Sequence, residues 1–438
     1  MRLRIQNFAK IGEADITIDG ITVIAGENNT GKSTVGKILF SLFNALCGIG
    51  NKVFDERLNE IQLSTELIIR DSISATNFPR TMQSRNARIL ANRIKDQIKT
   101  VLEMNDSVTE ADARTIVQRE LGVWRGLGEA LSTAEMNALL DEISENINEI
   151  LELPEENIIL EAILGYFNNV FHDQMHSLAQ YSDNTTRLDL EIKGKKNTVL
   201  FAKNRCEEFV SEINLTHKAI YIDNPFIIDE LTNSGELNPM GRLLRDLLTD
   251  TSDVEPLDGI IETLRAKEKM SDIYEALGKV VDGDIEINKA DDEFYLRSEH
   301  FNEPISFHNL STGLKSFVIL KMLLEKGSIK EKDVIILDEP EIHLHPQWQI
   351  AYAELIVLLQ KHFDLSVVVT THSPYFVDAI NLFSRKYGTD GKAKYYLSAN
   401  EGNVAVMENV TDHIDLIYKK MASPIQMLDT LRYELNNQ

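Results

Sequence analysis

The residues Gly26-Glu27-Asn28-Asn29-Thr30-Gly31-Lys32-Ser33-Thr34 follow the spacing G-x-x-x-x-G-K-[ST]. That spacing suits a loop that wraps a phosphate chain. Glycines let the backbone curl so that its N–H groups face the phosphates. Lys32 then reaches the terminal phosphates, and the Ser33 hydroxyl can hold Mg²⁺. Gly26, Asn28, Asn29, Thr30, Gly31, Lys32, Ser33 and Thr34 are the candidate phosphate-binding residues. A helix beginning here adds the positive end of its dipole.

Three further stretches bear on the same chemistry. In the run 333–340, Val334, Ile335, Ile336 and Leu337 read as a fully buried strand, and Asp338 and Glu339 emerge at its C-terminal end. Ligands of open α/β sheets bind at that edge. Asp338 would support the metal shell, and Glu339 would orient and polarise an attacking water. Residues 366–371 read as a second buried strand, ending at His372. A histidine at one strand tip, beside an acidic strand tip, can reach a terminal phosphate. In 309–316, Ser311 and the Gly313 N–H can hold a phosphate at a helix start. The structural alternatives are a glycine turn, two acids capping a strand and a packing histidine. They are outweighed by the order in which the four stretches occur.

These residues need strands and helices to hold them. Residues 2–8 and 14–24 read as two strands with a turn at Gly12, the second feeding the loop through an alternating run, Ile16 to Ala25. A helical pattern follows from Val35 to Leu46. From about 52 to 180, glycine is scarce and helical periodicity dominates. Ile94, Ile98, Val101 and Leu102 share one helical face. Ser132 and Glu135 form a capping-box pattern. Behind them Met136, Leu140, Ile143, Ile147 and Ile150 recur at spacings of four and three, which predicts ordinary helix packing. Residues 187–201 read as a hairpin with Lys193, Lys195 and Lys196 at its turn. Residues 219–223 read as a buried strand broken by Asn224-Pro225, 240–281 as helical, and 284–288 and 293–297 as strands. The tail from 401 shows one strand pattern, Asn403 to Met407, and then helices.

Composition narrows the class. At 438 residues, with 43% hydrophobic and 26% charged residues, the chain reads as soluble and globular. No apolar run approaches the roughly 20 residues of a membrane span, and the start lacks the apolar core of a signal peptide. Cys47 and Cys206 cannot form a disulfide framework, so a cytoplasmic protein is expected. The net charge of −24, from 45 basic and 69 acidic residues, repels nucleic acid over the molecule as a whole. The run Arg80, Arg85, Arg88, Arg93, Lys95 and Lys99 is the local exception. It is either a solvated face or a docking patch for nucleic acid or an acidic protein. His172 and His176, four apart with no partner carboxylate in a metal-protease pattern, read as surface or packing residues.

Taken in order, the four motifs resemble the ABC-type ATPase fold. They are most similar to the SMC/RecF-like branch and to the OLD-type ATPases of bacterial phage defence. Residues 338–346, Asp-Glu-Pro-Glu-Ile-His-Leu-His-Pro, and Thr371-His372-Ser373-Pro374 carry the OLD-like likeness. Thr312 and Leu314 stand where transporter-type signatures have glycine and glutamine, a pattern that suits the SMC-like branch. The resemblance covers roughly 1–46 and 187–400 and implies an α/β ABC-ATPase head. That head would have a mixed β-sheet core, an antiparallel β-subdomain and a helical insertion. The implied parts are an N-terminal lobe at 1–50, the insertion at 51–182, a C-terminal lobe at 183–400, and a terminal strand with helices at 401–438.

The resemblance further implies ATP and Mg²⁺ as cofactors, with Lys32, Glu339 and His372 catalytic and Ser33 and Asp338 at the metal. Two copies would dimerise head to tail, or form a higher even oligomer, with Ser311 and Gly313 of one facing the loop of the other. Asp223-Asn224 is the positional candidate for the glutamine that such proteins place near Mg²⁺. The tail is too short for the nuclease domain of many OLD-type proteins. The expected function is therefore a slow ATPase that governs a separate effector, as in Septu, retron-associated or PARIS-like defence systems. The alternative is a DNA repair or recombination ATPase gripping DNA across the dimer.

Overall fold

The computed structural model describes residues 1–73, 80–105, 107–123, 131–178, 185–231, 235, 237–249, 270–288 and 293–436. The chain forms two compact units. One comprises Met1–Cys47 with Ile163–Gln438, and the other Gly48–Ala162.

The first unit is α/β. Its strands are β1 (Arg2–Phe8), β2 (Ile11–Thr17), β3 (Ile21–Gly26), β4 (Thr185–Ile192), β5 (Lys195–Ala202), β6 (Arg205–Ser211) and β7 (Ala219–Ile222). They continue as β8 (Asp284–Asn288), β9 (Glu293–Arg297), β10 (Ile305–Ser306), β11 (Val334–Asp338), β12 (Ser366–Thr371), β13 (Ala393–Glu401) and β14 (Val404–Asn409). Among the described residues, eleven of these make one sheet in the order β6-β5-β4-β1-β2-β14-β13-β3-β12-β11-β7, and β10-β9-β8 make a smaller one. Strands β13, β3, β12, β11 and β7 run parallel, whereas β2, β1, β4, β5 and β6 pair antiparallel.

The two halves differ in sequence pattern for a physical reason. Parallel strands are covered by helices on both faces, so β3 and β7 are buried at every position. Antiparallel β1 alternates between buried and more exposed residues. In the parallel half, Ile335, Leu337, Val367 and Val369 share a core with Phe317, Tyr352, Ile356 and Phe376 from the helices Thr312–Glu325, Pro346–Phe363 and Pro374–Tyr387. Ile336 points to the other face, towards the helix Lys32–Leu46. A Cβ on Gly36 of that helix would lie 2.9 Å from the Ile336 side chain.

Several expectations shift here. The stretch 14–24 is not one strand. It breaks into β2 and β3 at Gly20, which takes φ 56°, and Gly12 lies inside β2 rather than at a turn. Periodicity missed this because apolar residues flank the break on both sides. Strands β6 and β13 also went unread. β6 has mixed exposure, and only its pairing to β5 identifies it. Of the helical stretch 240–281, Pro239–Thr249 and Ser271–Gly278 are helices, and 250–269 lies outside the described residues.

The second unit is helical: Ile49–Ile73, Arg80–Asn105, Glu110–Val123 and Thr133–Glu152. Its core joins Ile61 and Ile69 to Ile94, Ile98, Ile116, Ile143 and Ile147, so the four-and-three spacing marks ordinary packing. Ser132 and Glu135 form the full capping box. Arg57 donates to the carbonyls of Leu151 and Leu153, at 3.1 and 2.6 Å, which anchors the last turn of the fourth helix. Among the described residues, no single helix is long and apolar enough to cross a membrane.

Candidate functional site

The parallel strands end level with one another. Register pairs Asp338 with Thr370, Thr371 with Ala25, and Leu337 with Ile222. The tips of β3, β7, β11 and β12 therefore form one edge, and side chains hundreds of residues apart meet there.

β3 delivers the loop. Gly26 must be glycine, because a Cβ there would come within 2.3 Å of the Ser398 carbonyl oxygen on β13. Asn29 and Gly31 take left-handed φ of 61° and 80°, which turns the chain into the helix Lys32–Leu46. Thr30 donates to the Glu27 carbonyl at 2.8 Å, Ser398 Oγ to the Thr30 carbonyl at 2.6 Å, and Lys10 Nζ to the Asn29 carbonyl at 2.6 Å. The loop is thus shaped by the protein itself. Lys32 is buried, and its ammonium donates to the Gly26 and Glu27 carbonyls at 3.1 and 2.7 Å. Asn28 is exposed on the loop and Thr34 half-buried just inside the helix.

β11 delivers the acids. The Asp338 carboxylate accepts from Ser33 Oγ at 2.9 Å, from Tyr221 OH at 2.6 Å and from Thr370 Oγ1. Glu339 takes φ 51°, a conformation that costs a non-glycine residue on the order of 1–3 kcal/mol. Its N–H donates to the Thr370 carbonyl and hydroxyl, at 3.0 and 3.1 Å, and these bonds hold the kink. The kink turns the side chain inward. One carboxylate oxygen lies 3.5 Å from Lys32 Nζ and the other 3.6 Å from His372 Nδ1. Burial, and then the neighbouring Asp338 charge, holds the Tyr221 hydroxyl well above its usual range, so it stays a proton donor. Asp223 follows β7. Desolvation, with the Asp338 charge, raises its carboxyl above the ordinary value.

β12 delivers His372, whose side chain is about half exposed. Its backbone N–H donates to Glu341 Oε1 at 2.9 Å. The following Ser373 caps the helix Pro374–Tyr387 by accepting from the Phe376 N–H.

The remaining motif sits elsewhere in the unit. Ser311 caps the helix Thr312–Glu325 by accepting from the Leu314 N–H, so the helix start expected there is present. Gly313 lies so close to the turn after β11 that a Cβ would come 3.0 Å from the His343 carbonyl and 3.1 Å from the Trp348 ring. Two residues on, buried Lys315 forms an ion pair with Asp229 at 2.5 Å. Among the described residues, no hydrogen bond or ion pair joins Ser311 or Gly313 to the Gly26–Thr34 loop within one chain.

The oxygen donors fit magnesium. Ser33 Oγ and an Asp338 oxygen already face each other at 2.9 Å, and Mg²⁺ takes one or two protein oxygens together with phosphates and waters. No group of three or more His, Cys, Asp and Glu side chains placed to hold a metal occurs among the described residues.

Sequence reading missed Tyr221, Thr370 and Glu341. Their signal is a polar residue placed within or just after an otherwise apolar strand, where burial forces it to find a partner. His176 is structural: its Nδ1 lies 2.7 Å from Asn204 Oδ1. In the basic run, Lys95 donates to Gln62 and Lys99 lies near Glu103, whereas Arg85, Arg88 and Arg93 are exposed with no ion pair among the described residues. The Arg80 side chain lies outside the described residues.

Residues 1–377 match the family described as AAA_15, AAA ATPase domain. Over 92 residues the sequence is 39% identical to the Septu protein PtuA of Bacillus thuringiensis, covering 18% of this chain and 22% of that protein. Over 106 residues it is 33% identical to the retron Ec83 probable ATPase of Escherichia coli, covering 21% of this chain and 19% of that protein. Each match thus spans well under half of the relative's length. Among solved structures, the SMC head domain from Thermotoga maritima aligns with 93% of this chain and 98% of its own, at 11% identity and a TM-score of 0.40.

Proposed function

The chain belongs to the AAA ATPase domain family, and on that premise we propose that it binds ATP with Mg²⁺ along Gly26–Thr34 and hydrolyses it slowly between two copies of itself. One observation carries this reading. Ser33 of the loop bonds directly to Asp338, 305 residues away, beside a buried lysine and a kinked glutamate.

The residues divide the work. The loop N–H groups and Lys32 take the phosphates, Lys32 exchanging its two carbonyl bonds for phosphate oxygens. Ser33 and Asp338 would hold Mg²⁺, which when bound neutralises phosphate charge. Glu339 accepts a hydrogen bond from the attacking water and draws off its proton. His372, within reach of Glu339, orders that carboxylate and meets the terminal phosphate. Ser311 and Gly313, which do not reach the loop of their own chain, complete the site of a partner copy in a head-to-tail dimer. Asp223 stands beside the metal position as the substitute for the missing glutamine. The ATP-bound dimer governs a separate effector, a nuclease or toxin, in antiviral defence. The stretches shared with Septu PtuA and the retron Ec83 ATPase support that role.

A mixing experiment tests the shared site. Ser311→Arg protein should lose turnover, and adding Lys32→Ala protein should restore part of it, because a mixed dimer keeps one intact site. No restoration at any ratio rejects the head-to-tail arrangement. A second reading, DNA binding across the dimer, draws on the exposed arginines 85, 88 and 93. A salt-dependent shift of DNA by the purified chain alone would favour it over effector control.

A further inference from the structure

Glu341 has no place in the hydrolytic scheme above, yet it is almost fully buried. It follows Pro340 in the turn after β11, and its side chain is 2% exposed. Buried carboxylates need partners, and this one's Oε1 takes two: the Thr371 hydroxyl and the His372 backbone N–H, the latter at 2.9 Å. The same oxygen lies 3.6 Å from His372 Nδ1. The other oxygen, Oε2, is buried with no hydrogen-bond partner among the described residues. A carboxylate so placed ties the turn after β11 to the tip of β12. A second tie runs alongside it. Gln349 donates to the Glu341 and Leu344 carbonyls, at 3.4 and 3.1 Å, and accepts from Ser373 Oγ at 2.8 Å. His372 therefore sits between two glutamates, with Glu339 near its ring and Glu341 holding its backbone.

We propose that Glu341 is a positioning residue for hydrolysis, fixing Thr371 and His372 so that the imidazole stays within reach of the Glu339 carboxylate. The proposal rests on the roles assigned above to Glu339 and His372 and extends them by one residue. Burial raises the Glu341 carboxyl above its usual range, and the hydrogen bonds from Thr371 and His372 pull the other way by favouring the carboxylate. Its hydrogen-bond partners lie on the turn after β11 and the tip of β12, none on the Gly26–Thr34 loop, so nucleotide affinity should not depend on it.

The test uses full-length protein and measures ATP affinity, steady-state turnover and thermal melting for Glu341→Ala, Glu341→Gln, His372→Ala and the Glu341→Ala/His372→Ala double variant. Glu341→Ala should lower kcat about tenfold to a hundredfold, the scale of a small misplacement of a catalytic group. ATP affinity should stay within about twofold of wild type. Glu341→Gln should recover most of the turnover, because its amide oxygen can accept the same two bonds. The double variant should be no slower than His372→Ala alone, since a positioning effect vanishes with the group positioned. Three outcomes overturn the proposal: Glu341→Ala with normal turnover while His372→Ala is impaired, a double variant that adds the two losses in full, or Glu341→Gln as slow as Glu341→Ala with both still folded. If His372→Ala itself turns over normally, the assigned role of the histidine fails first, and the positioning role fails with it. If Glu341→Ala does not fold, Thr371→Val, which removes one of the two donors to Glu341, is measured in its place: lowered turnover at unchanged ATP affinity is expected, and normal turnover overturns the proposal.

Discussion

The strand edge of the first unit and the helical unit Gly48–Ala162 are both built on aliphatic cores, yet they join residues across very different separations. At the edge, Ser33 meets Asp338 across 305 positions, Ser398 meets Thr30 across 368, and Tyr221 meets Asp338 across 117. In the helical unit, Ser132 meets Glu135 across three positions, and the longer ties, Ser64 to Asn146 and Arg57 to Leu153, span 82 and 96. Its polar bonds cap helices or tie one helix to the next, whereas those of the edge gather a serine, a lysine, two acids and a histidine at the ends of neighbouring strands. Parallel strands make the difference. Their crossovers are long, and all their C-terminal tips face the same way.

That contrast predicts that perturbing the edge changes chemistry without changing stability, and that perturbing the helical unit does the reverse. The largest effect is expected from Glu339→Gln. Loss of a general base lowers turnover by about 10² to 10⁴-fold while ATP binding persists. The variant should accumulate as a nucleotide-bound dimer on size-exclusion chromatography. Equal ATP turnover in wild type and variant would remove Glu339 from its role and erase the functional half of the comparison.

A smaller effect, and of the opposite kind, is expected from Ile143→Ala. That residue is fully buried in the helical core, so the cavity should cost about 2–5 kcal/mol of that unit's stability. Denaturant titration monitored on full-length protein should show it, and nucleotide affinity should stay unchanged. A parallel loss of ATP binding would mean that the two units do not behave independently. The smallest effect is expected from Ser132→Ala, which removes one side of the capping box and should destabilise the same unit by about 0.5–2 kcal/mol. A change in turnover from that substitution would blur the contrast further.

The motif residues were legible because their chemistry demands particular types at particular spacings. A loop that turns left-handed into a helix needs a residue such as Gly31, and the proposed cation site needs an acid such as Asp338 at a strand tip. The helical core was legible from its spacing alone, because helix contacts are local. The strand boundary at Asp19-Gly20 was not, although that dipeptide is itself a turn signal, because Ile18 and Ile21 stand directly on either side of it. Strand β13 escaped for another reason: its pairing to β3 joins residues 372 positions apart, Ala393 with Ile21.

The amino-acid order alone therefore determined the glycine-bearing loop at 26–34, the acid pair, the Ser132–Glu135 cap and the periodicity of the helices, all properties set within a few neighbouring residues. Only the tertiary structure decided that Tyr221 and Thr370 donate to Asp338, that Glu339 is kinked towards Lys32, and that Glu341 holds the backbone of His372. Those contacts depend on strand order and register. The sheet sets both by burying four strands at once, and no local stretch of sequence carries them.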